Sequence, residues 1–246
     1  CWDCYMKKKR NRQIIYCIFL AVLILMGLFL KKKSDRIQAV HSQNAVSEQE
    51  WEKADLRQAE ELPPKVALTF DDGPHRIYTK NLLDGLRERG VKATFFVVGE
   101  NIPGNEDLIR QMEEDGHLIG NHTYDHADIS KLSDEENCRE LQKTSDLIKE
   151  ITGHGTAYVR PPFGNWKDTM DCRITMISVK WTIDTLDWKN RNVREIIGKV
   201  MQQISDHDII LMHDYYETSV EAALQIVDRL LEEGYEFVTV EDLILT

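Results

Sequence analysis

An α/β fold with a mainly parallel sheet is what this sequence predicts, on three observations. Strand-like and helix-like patterns alternate from residue 65 to the end, the mark of βαβ units. Glycines stand where helical patterns stop, at Gly90, Gly116, Gly153 and Gly234, as helix C-termini require. Clusters of polar residues follow directly on strand-like runs, and parallel sheets gather their working groups at the C-terminal strand ends.

The elements are justified in order. Residues 66–70 are an apolar run that reads as a short buried strand, closed by a Gly-Pro turn. Leu82, Leu83 and Leu86 have helical spacing within 79–89, and 93–98 reads as a strand. A helix over 106–115 leads to a short strand at 117–120. Ser133-Asp134-Glu135-Glu136 is a capping-box pattern opening a helix to about residue 152. Residues 157–159 and 174–181 are strand-like, Asn192 opens a helix to about 204, and 209–212 is a buried strand. A helix over 219–233 and a last strand over 236–240 complete the reading. No internal repeat is visible.

Ahead of this domain, Lys7, Lys8, Lys9, Arg10 and Arg12 precede an uncharged run of 17 residues, 14–30, and Lys31-Lys32-Lys33 follows it. A helix crossing roughly 30 Å of hydrocarbon takes about 20 residues, and about 17 is the short end of the range. Flanking lysines snorkel and close the gap. A cleaved signal peptide has a shorter apolar core and a small-residue site, so an uncleaved signal anchor is the expectation. The basic excess before the span puts the N-terminus inside. The expected organisation is a cytoplasmic N-terminus at 1–13, a transmembrane anchor at 14–30, an extracellular linker at 31–64 and a domain at 65–246. That is a single pass in the cell membrane with the domain outside.

Beyond residue 34 the chain carries 23 basic and 41 acidic residues, a formal charge of −18. Phosphate binding depends on basic patches, so a nucleic-acid partner is excluded, and no protein partner is implied. Cys138 and Cys172 are the two cysteines beyond the span. Two cysteines define no framework, and whether they pair stays open.

Asp71 and Asp72 stand where the first strand ends. Adjacent strand residues point to opposite faces, so both face one cleft only if the chain leaves the ladder, which Gly73 and Pro74 permit. Such a pair offers a metal ligand and a general base, or a solvated helix cap. His122 and His126 share a face if their segment is helical, and two imidazoles one turn apart bind one divalent ion. With Asp72 they make a facial Asp/His/His set with open positions, which metal-assisted hydrolysis requires. Arg160, directed by Pro161 and Pro162, could hold Asp71 by paired hydrogen bonds or make a surface pair. His213, ending an apolar strand, is either a core histidine or an acid sustained by Asp187. Trp188 offers a flat wall for a sugar ring or a core filler.

Five segments in this order resemble the polysaccharide deacetylases of carbohydrate esterase family 4: 69–74, 122–126, 160–164, 184–188 and 211–213. The resemblance implies a distorted (β/α) barrel of seven or eight strands. It implies one divalent ion, zinc in the first instance with cobalt, nickel or manganese as alternatives, held by Asp72, His122 and His126. Asp71 would be the general base, oriented by Arg160, and His213 the general acid, oriented by Asp187. The backbone N–H of Phe163 would face the oxyanion, and Leu211 and Trp188 would line the pocket for the acetyl methyl. The implied reaction removes N-acetyl groups from an acetylated polysaccharide, peptidoglycan N-acetylglucosamine or chitin-like oligomers, and releases acetate. Two departures stand out. Phe163 occupies a place where the family more often has Tyr, and the stretch 164–174 is short enough to reduce one outer helix to a turn. O-deacetylation of a xylan-type polymer is the competing enzyme reading, and a non-catalytic glycan-binding domain is the third.

Overall fold

In the computed structural model, strand β1 (Lys65–Asp71) is the one around which the sheet is arranged. Every residue of it after Lys65 is buried, because β2 (Thr94–Val97) and β7 (Asp208–His213) pair with it on its two edges. The structure describes residues 62–167 and 175–245, with Met26 and Lys31 before them. The expected anchor at 14–30, most of the linker at 31–64 and the stretch 168–174 lie outside the described residues. Among those described, no helix is long and apolar enough to cross a membrane.

The remaining strands are β3 (Leu118–Asn121), β4 (Tyr158–Val159), β5 (Ile177–Ser178), β6 (Ile183–Asp184) and β8 (Glu236–Phe237). All pairings are parallel, in the order β5-β4-β3-β2-β1-β7-β6, and β8 adds to β1 at Lys65 and Val66. β5 and β6 end this path, yet only four residues separate them in the chain. Six steps between strands span about 29 Å in a flat sheet, while five residues of chain reach at most about 18 Å. The sheet therefore curls until its edges nearly meet. No pairing joins β5 to β6 among the described residues, so the expected distorted barrel of seven or eight strands is a curled half-barrel.

Alternation along β1 sorts its side chains. Val66, Leu68 and Phe70 enter the large core beneath helices α1 (Tyr78–Glu88) and α5 (Glu217–Glu232), with Leu82, Leu86 and Ile226. Ala67 enters the smaller cluster of the other face, with Phe96 and Val179. Thr69 and Asp71 share the face of Ala67, so the same period that builds the core sends Asp71 to the inside of the curl.

Helices α2 (Glu106–Glu114), α3 (Asp134–Thr152) and α4 (Val193–Met201) complete the outer layer. α3 opens on the expected capping box: Glu136 N–H donates to Ser133 Oγ at 3.3 Å and Ser133 N–H to Glu136 Oε2 at 2.9 Å. It closes at Gly153, φ 87°. Cys138 on this helix is disulfide-bonded, and Cys172 lies outside the described residues. The last strand stops at Phe237, and α6 (Val240–Leu245) replaces the rest of it. Thr239 accepts from Asp242 N–H at 3.2 Å and donates to Asp242 Oδ2 at 2.9 Å, which starts a helix where β-branched residues had suggested a strand. β6 was not expected as a strand, being two residues at an edge.

Candidate active site

The acidic pair divides where β1 ends. Asp71 is still in the ladder, opposite Phe96 and His213. Asp72 leaves it with φ 75°, and a cis Gly73-Pro74 bond follows. A side chain at position 73 would run into the Asp214 carboxyl, so only glycine lets the chain turn here. The two carboxylates thus reach one cleft from different directions.

Asp72 Oδ1 lies 3.5 Å from His122 Nε2 and 3.4 Å from His126 Nε2. It is buried without a hydrogen-bond partner. His122 follows β3, and its Nδ1 is 2.6 Å from the Arg160 carbonyl. A carbonyl only accepts, so Nδ1 carries a hydrogen, and Nε2 is the ring nitrogen turned toward Asp72. Burial is the main influence drawing His126 below its ordinary pKa, with His122 adding to it, which favours its neutral form. Two imidazole nitrogens and a carboxylate oxygen, all within 4.8 Å of one another, fit a cation. Ligand atoms about 2.1 Å from a tetrahedral ion lie about 3.4 Å apart, close to the separations found.

The loop carrying the histidines is not the helical turn expected of an i, i+4 pair. Residues 122–126 form no helix, and Thr123 and His126 adopt φ 64° and 61°. Positive φ in a β-branched residue is rare and costs about 1–3 kcal/mol. The rings still come within 5.1 Å of each other.

Arg160 follows β4 and is fully buried inside the curl. Its Nη1 donates to Asp71 Oδ1 at 2.8 Å and to Thr69 Oγ1 at 2.7 Å. Nε and Nη2 donate to the carbonyls of Val179 and Lys180 at 3.3 and 3.2 Å. The guanidinium also stacks 4.3 Å over the Phe96 ring. The paired hydrogen bonds expected on Asp71 are thus a single one, because the other donors face carbonyls of the chain leaving β5. Asp71 Oδ2 is left 3.8 Å from His122 Nε2, beside the cradle.

Across the cleft, Asp187 is fully buried and grips His213 twice. Its Oδ1 is 2.8 Å from His213 Nδ1 and its Oδ2 accepts the His213 backbone N–H at 2.8 Å. Burial acts to lower the His213 pKa, but the hydrogen bond and charge of Asp187 outweigh it and raise it to about 9. The imidazole is therefore protonated at neutral pH.

A cleft of about 490 Å³ opens over these groups. Asp71, Asp72, His122, His126, Phe163, Trp188, Leu211 and His213 line it, while Arg160 and Asp187 support it from behind. All ten residues singled out in the sequence come together. Phe163, φ 61°, is exposed and sets its ring edge-on to His126 at 5.0 Å. Trp188 is 48% exposed and lines the cleft instead of filling the core. Sequence reasoning missed Tyr216 in the lining, and it gave no role of their own to Trp181 and Asp184 there or to Thr69 beneath Arg160. Position after a strand end was the available signal for Tyr216, and Thr69 opens the segment 69–74.

Two imidazoles and a carboxylate facing one point, a second carboxylate beside them and an imidazolium opposite are the groups that metal-assisted hydrolysis requires. Comparison with known proteins narrows this class. The chain belongs to the polysaccharide deacetylase family: residues 58–177 match its family model, "Polysaccharide deacetylase". It is 36% identical over 216 residues to the peptidoglycan-N-acetylmuramic acid deacetylase PdaC of Bacillus subtilis, covering 86% of this chain and 46% of that one. It is 37% identical over 179 residues to the peptidoglycan-N-acetylglucosamine deacetylase PgdA of Listeria monocytogenes, 73% of this chain and 38% of that one. The chain thus spans less than half the length of these curated relatives. A solved structure of B. subtilis PdaC superposes with a TM-score of 0.72 at 38% identity, over 74% of this chain and 90% of that one.

Proposed function

We propose that this chain is a membrane-tethered, metal-dependent deacetylase that removes N-acetyl groups from cell-wall glycan, foremost the N-acetylglucosamine of peptidoglycan. The observation that carries the reading is the Asp72/His122/His126 cradle, set between a free carboxylate oxygen of Asp71 and the protonated His213. The relatives named for peptidoglycan deacetylation support the polymer. The uncharged run 14–30 between basic flanks supports a single anchor with the domain outside the cell.

A divalent ion in the cradle, zinc in this reading, supplies Lewis acidity toward water and the acetyl carbonyl. Asp71 has one oxygen engaged by Arg160, so Oδ2 takes the proton from the attacking water. Arg160 keeps that oxygen on the cleft side by holding the other from below. The water oxygen bonds to the acetyl carbon, and the backbone N–H of Phe163 donates to the developing oxyanion. His213, kept charged by Asp187, gives its proton to the sugar nitrogen as the C–N bond breaks, leaving acetate and a free amine. Leu211 and Trp188 exclude water around the methyl group.

The test is acetate release by the purified 246-residue chain, loaded with zinc or cobalt, on peptidoglycan, N-acetylated chito-oligomers and O-acetylated xylan. Release from the N-acetyl substrates is expected. A clear preference for xylan would assign O-deacetylation instead, and no release from any of the three by the loaded protein would refute the enzyme reading.

A further inference from the structure

The two cradle histidines depend on a loop that its own backbone does not favour, with positive φ at Thr123 and His126. From the β2 side, the N–H groups of Gly99 and Glu100 donate to the carbonyls of Thr123 and Tyr124 at 3.0 and 2.8 Å. Asn121 Oδ1 accepts Thr123 N–H at 2.8 Å, and Thr123 Oγ1 accepts Ala127 N–H at 3.0 Å. Between these anchors two successive amides, Tyr124 N–H and Asp125 N–H, turn outward and meet a single atom. Glu140 Oε2 accepts both, at 2.9 and 3.0 Å.

Glu140 is half-buried on α3, and that helix is itself tied to the strand before the loop. Asn121 Nδ2 donates to Leu141 O at 2.8 Å and to Ser145 Oγ at 3.0 Å. One turn along the same face as Glu140, Lys143 Nζ stands 3.2 Å over the Tyr124 ring. The loop is thus clamped to α3 at the two residues that immediately precede His126. Without an acceptor at 140 those amides would turn to water, and the dihedrals that aim His126 would lose the two hydrogen bonds that tie them to this helix.

We propose that Glu140 is a positioning residue for the metal cradle: by accepting two consecutive loop amides it holds His126 Nε2 facing Asp72 and His122. This rests on the metal-dependent reading of the site, but it concerns binding of the ion, not turnover. Glu140 touches neither the ion's ligand atoms nor the cleft, and nothing in the family resemblance singles it out.

The test titrates cobalt into the full metal-free chain and its Glu140→Ala, Glu140→Gln and Glu140→Asp variants, following the visible d–d absorption, with the melting temperature of each metal-free protein in parallel. Outer-shell partners of metal ligands typically contribute about 10–100-fold in affinity. Glu140→Ala and the shorter Glu140→Asp are expected to weaken cobalt by about that factor and alter the d–d bands. Glu140→Gln, whose carbonyl oxygen accepts the same two amides, is expected within about threefold of wild type. Wild-type affinity in Glu140→Ala, or loss in Glu140→Gln equal to that in Glu140→Asp, would overturn the proposal. If Glu140→Ala does not fold, the order of the Gln and Asp variants decides. A wild-type chain that binds cobalt but releases no acetate would sink the proposed function and leave this comparison standing, whereas one that binds no cobalt would sink both.

Discussion

Replacing Asp187 by Asn isolates what a buried charge does for the proposed acid. The carboxylate holds His213 at ring and backbone, 2.8 Å each, and Asn can still accept the backbone N–H. What it removes is the negative charge. Burial is then opposed only by the charges of Asp71 and Asp72, and the pKa falls from about 9 toward its ordinary 6.5. At pH 8 the protonated fraction drops from about 90% to about 3%, so kcat/KM falls about 30-fold on protonation alone. At pH 6 the same arithmetic leaves a deficit of only about 1.3-fold. The assay is acetate release from a chito-oligomer between pH 6 and 9.5 at saturating metal. A loss that is equal at every pH would refute the reasoning, since it would mean that Asp187 orients His213 without setting its charge. The shift has a stability counterpart. The folded chain keeps the proton between about 6.5 and 9 while the unfolded chain sheds it, so this contribution is full below that window and lost as pH rises through it.

Two further outcomes follow from buried charges. Arg160→Met leaves Asp71 inside the curl with no counter-charge, and breaking a buried pair from one side costs about 3–5 kcal/mol. Urea unfolding should show that loss, and less than about 1 kcal/mol would mean the ion pair is not what holds the interior. Asp214 is buried behind Gly73, with Thr79 Oγ1 donating to its Oδ2 at 2.5 Å. Burial raises its carboxyl from 3.8 to about 7. The folded chain therefore binds the extra proton, and the contribution of Asp214 to stability is full below about 4 and is lost as pH rises to about 7. Asp214→Asn should remove that contribution, so the difference between variant and wild-type unfolding midpoints should change across the window, and a difference that stays constant with pH would contradict it.

Local signals carried much of this site and failed at identifiable places. The apolar run of β1, the Gly-Pro turn and the strand ends before His122, Arg160 and His213 were legible because a period of two and a turn are written in neighbouring residues. The half-barrel was legible as a class, but its openness depends on where β5 and β6 fall, and two-residue edge strands carry no period. The helix at Val240 hid behind β-branched residues, although the Thr239-x-x-Asp242 pattern was there to read. The i, i+4 spacing of His122 and His126 suggested a helical turn, whereas positive φ at Thr123 is held by Asn121, Gly99 and Glu140, contacts with no local signature. Tyr216 and Thr69 belong to the site only through the curl of the sheet.

The central claim is that Asp72, His122 and His126 hold an ion while Asp71 stays free to take the proton. It is tested most directly by measuring bound metal and acetate release together in the wild type, Asp71→Asn and His126→Ala. The wild type should bind one ion and turn over. Asp71→Asn should keep the ion and lose turnover by about 10²–10⁴-fold, and His126→Ala should lose both. An Asp71→Asn protein that retained most of its activity, or a His126→Ala protein that kept its ion, would contradict the account.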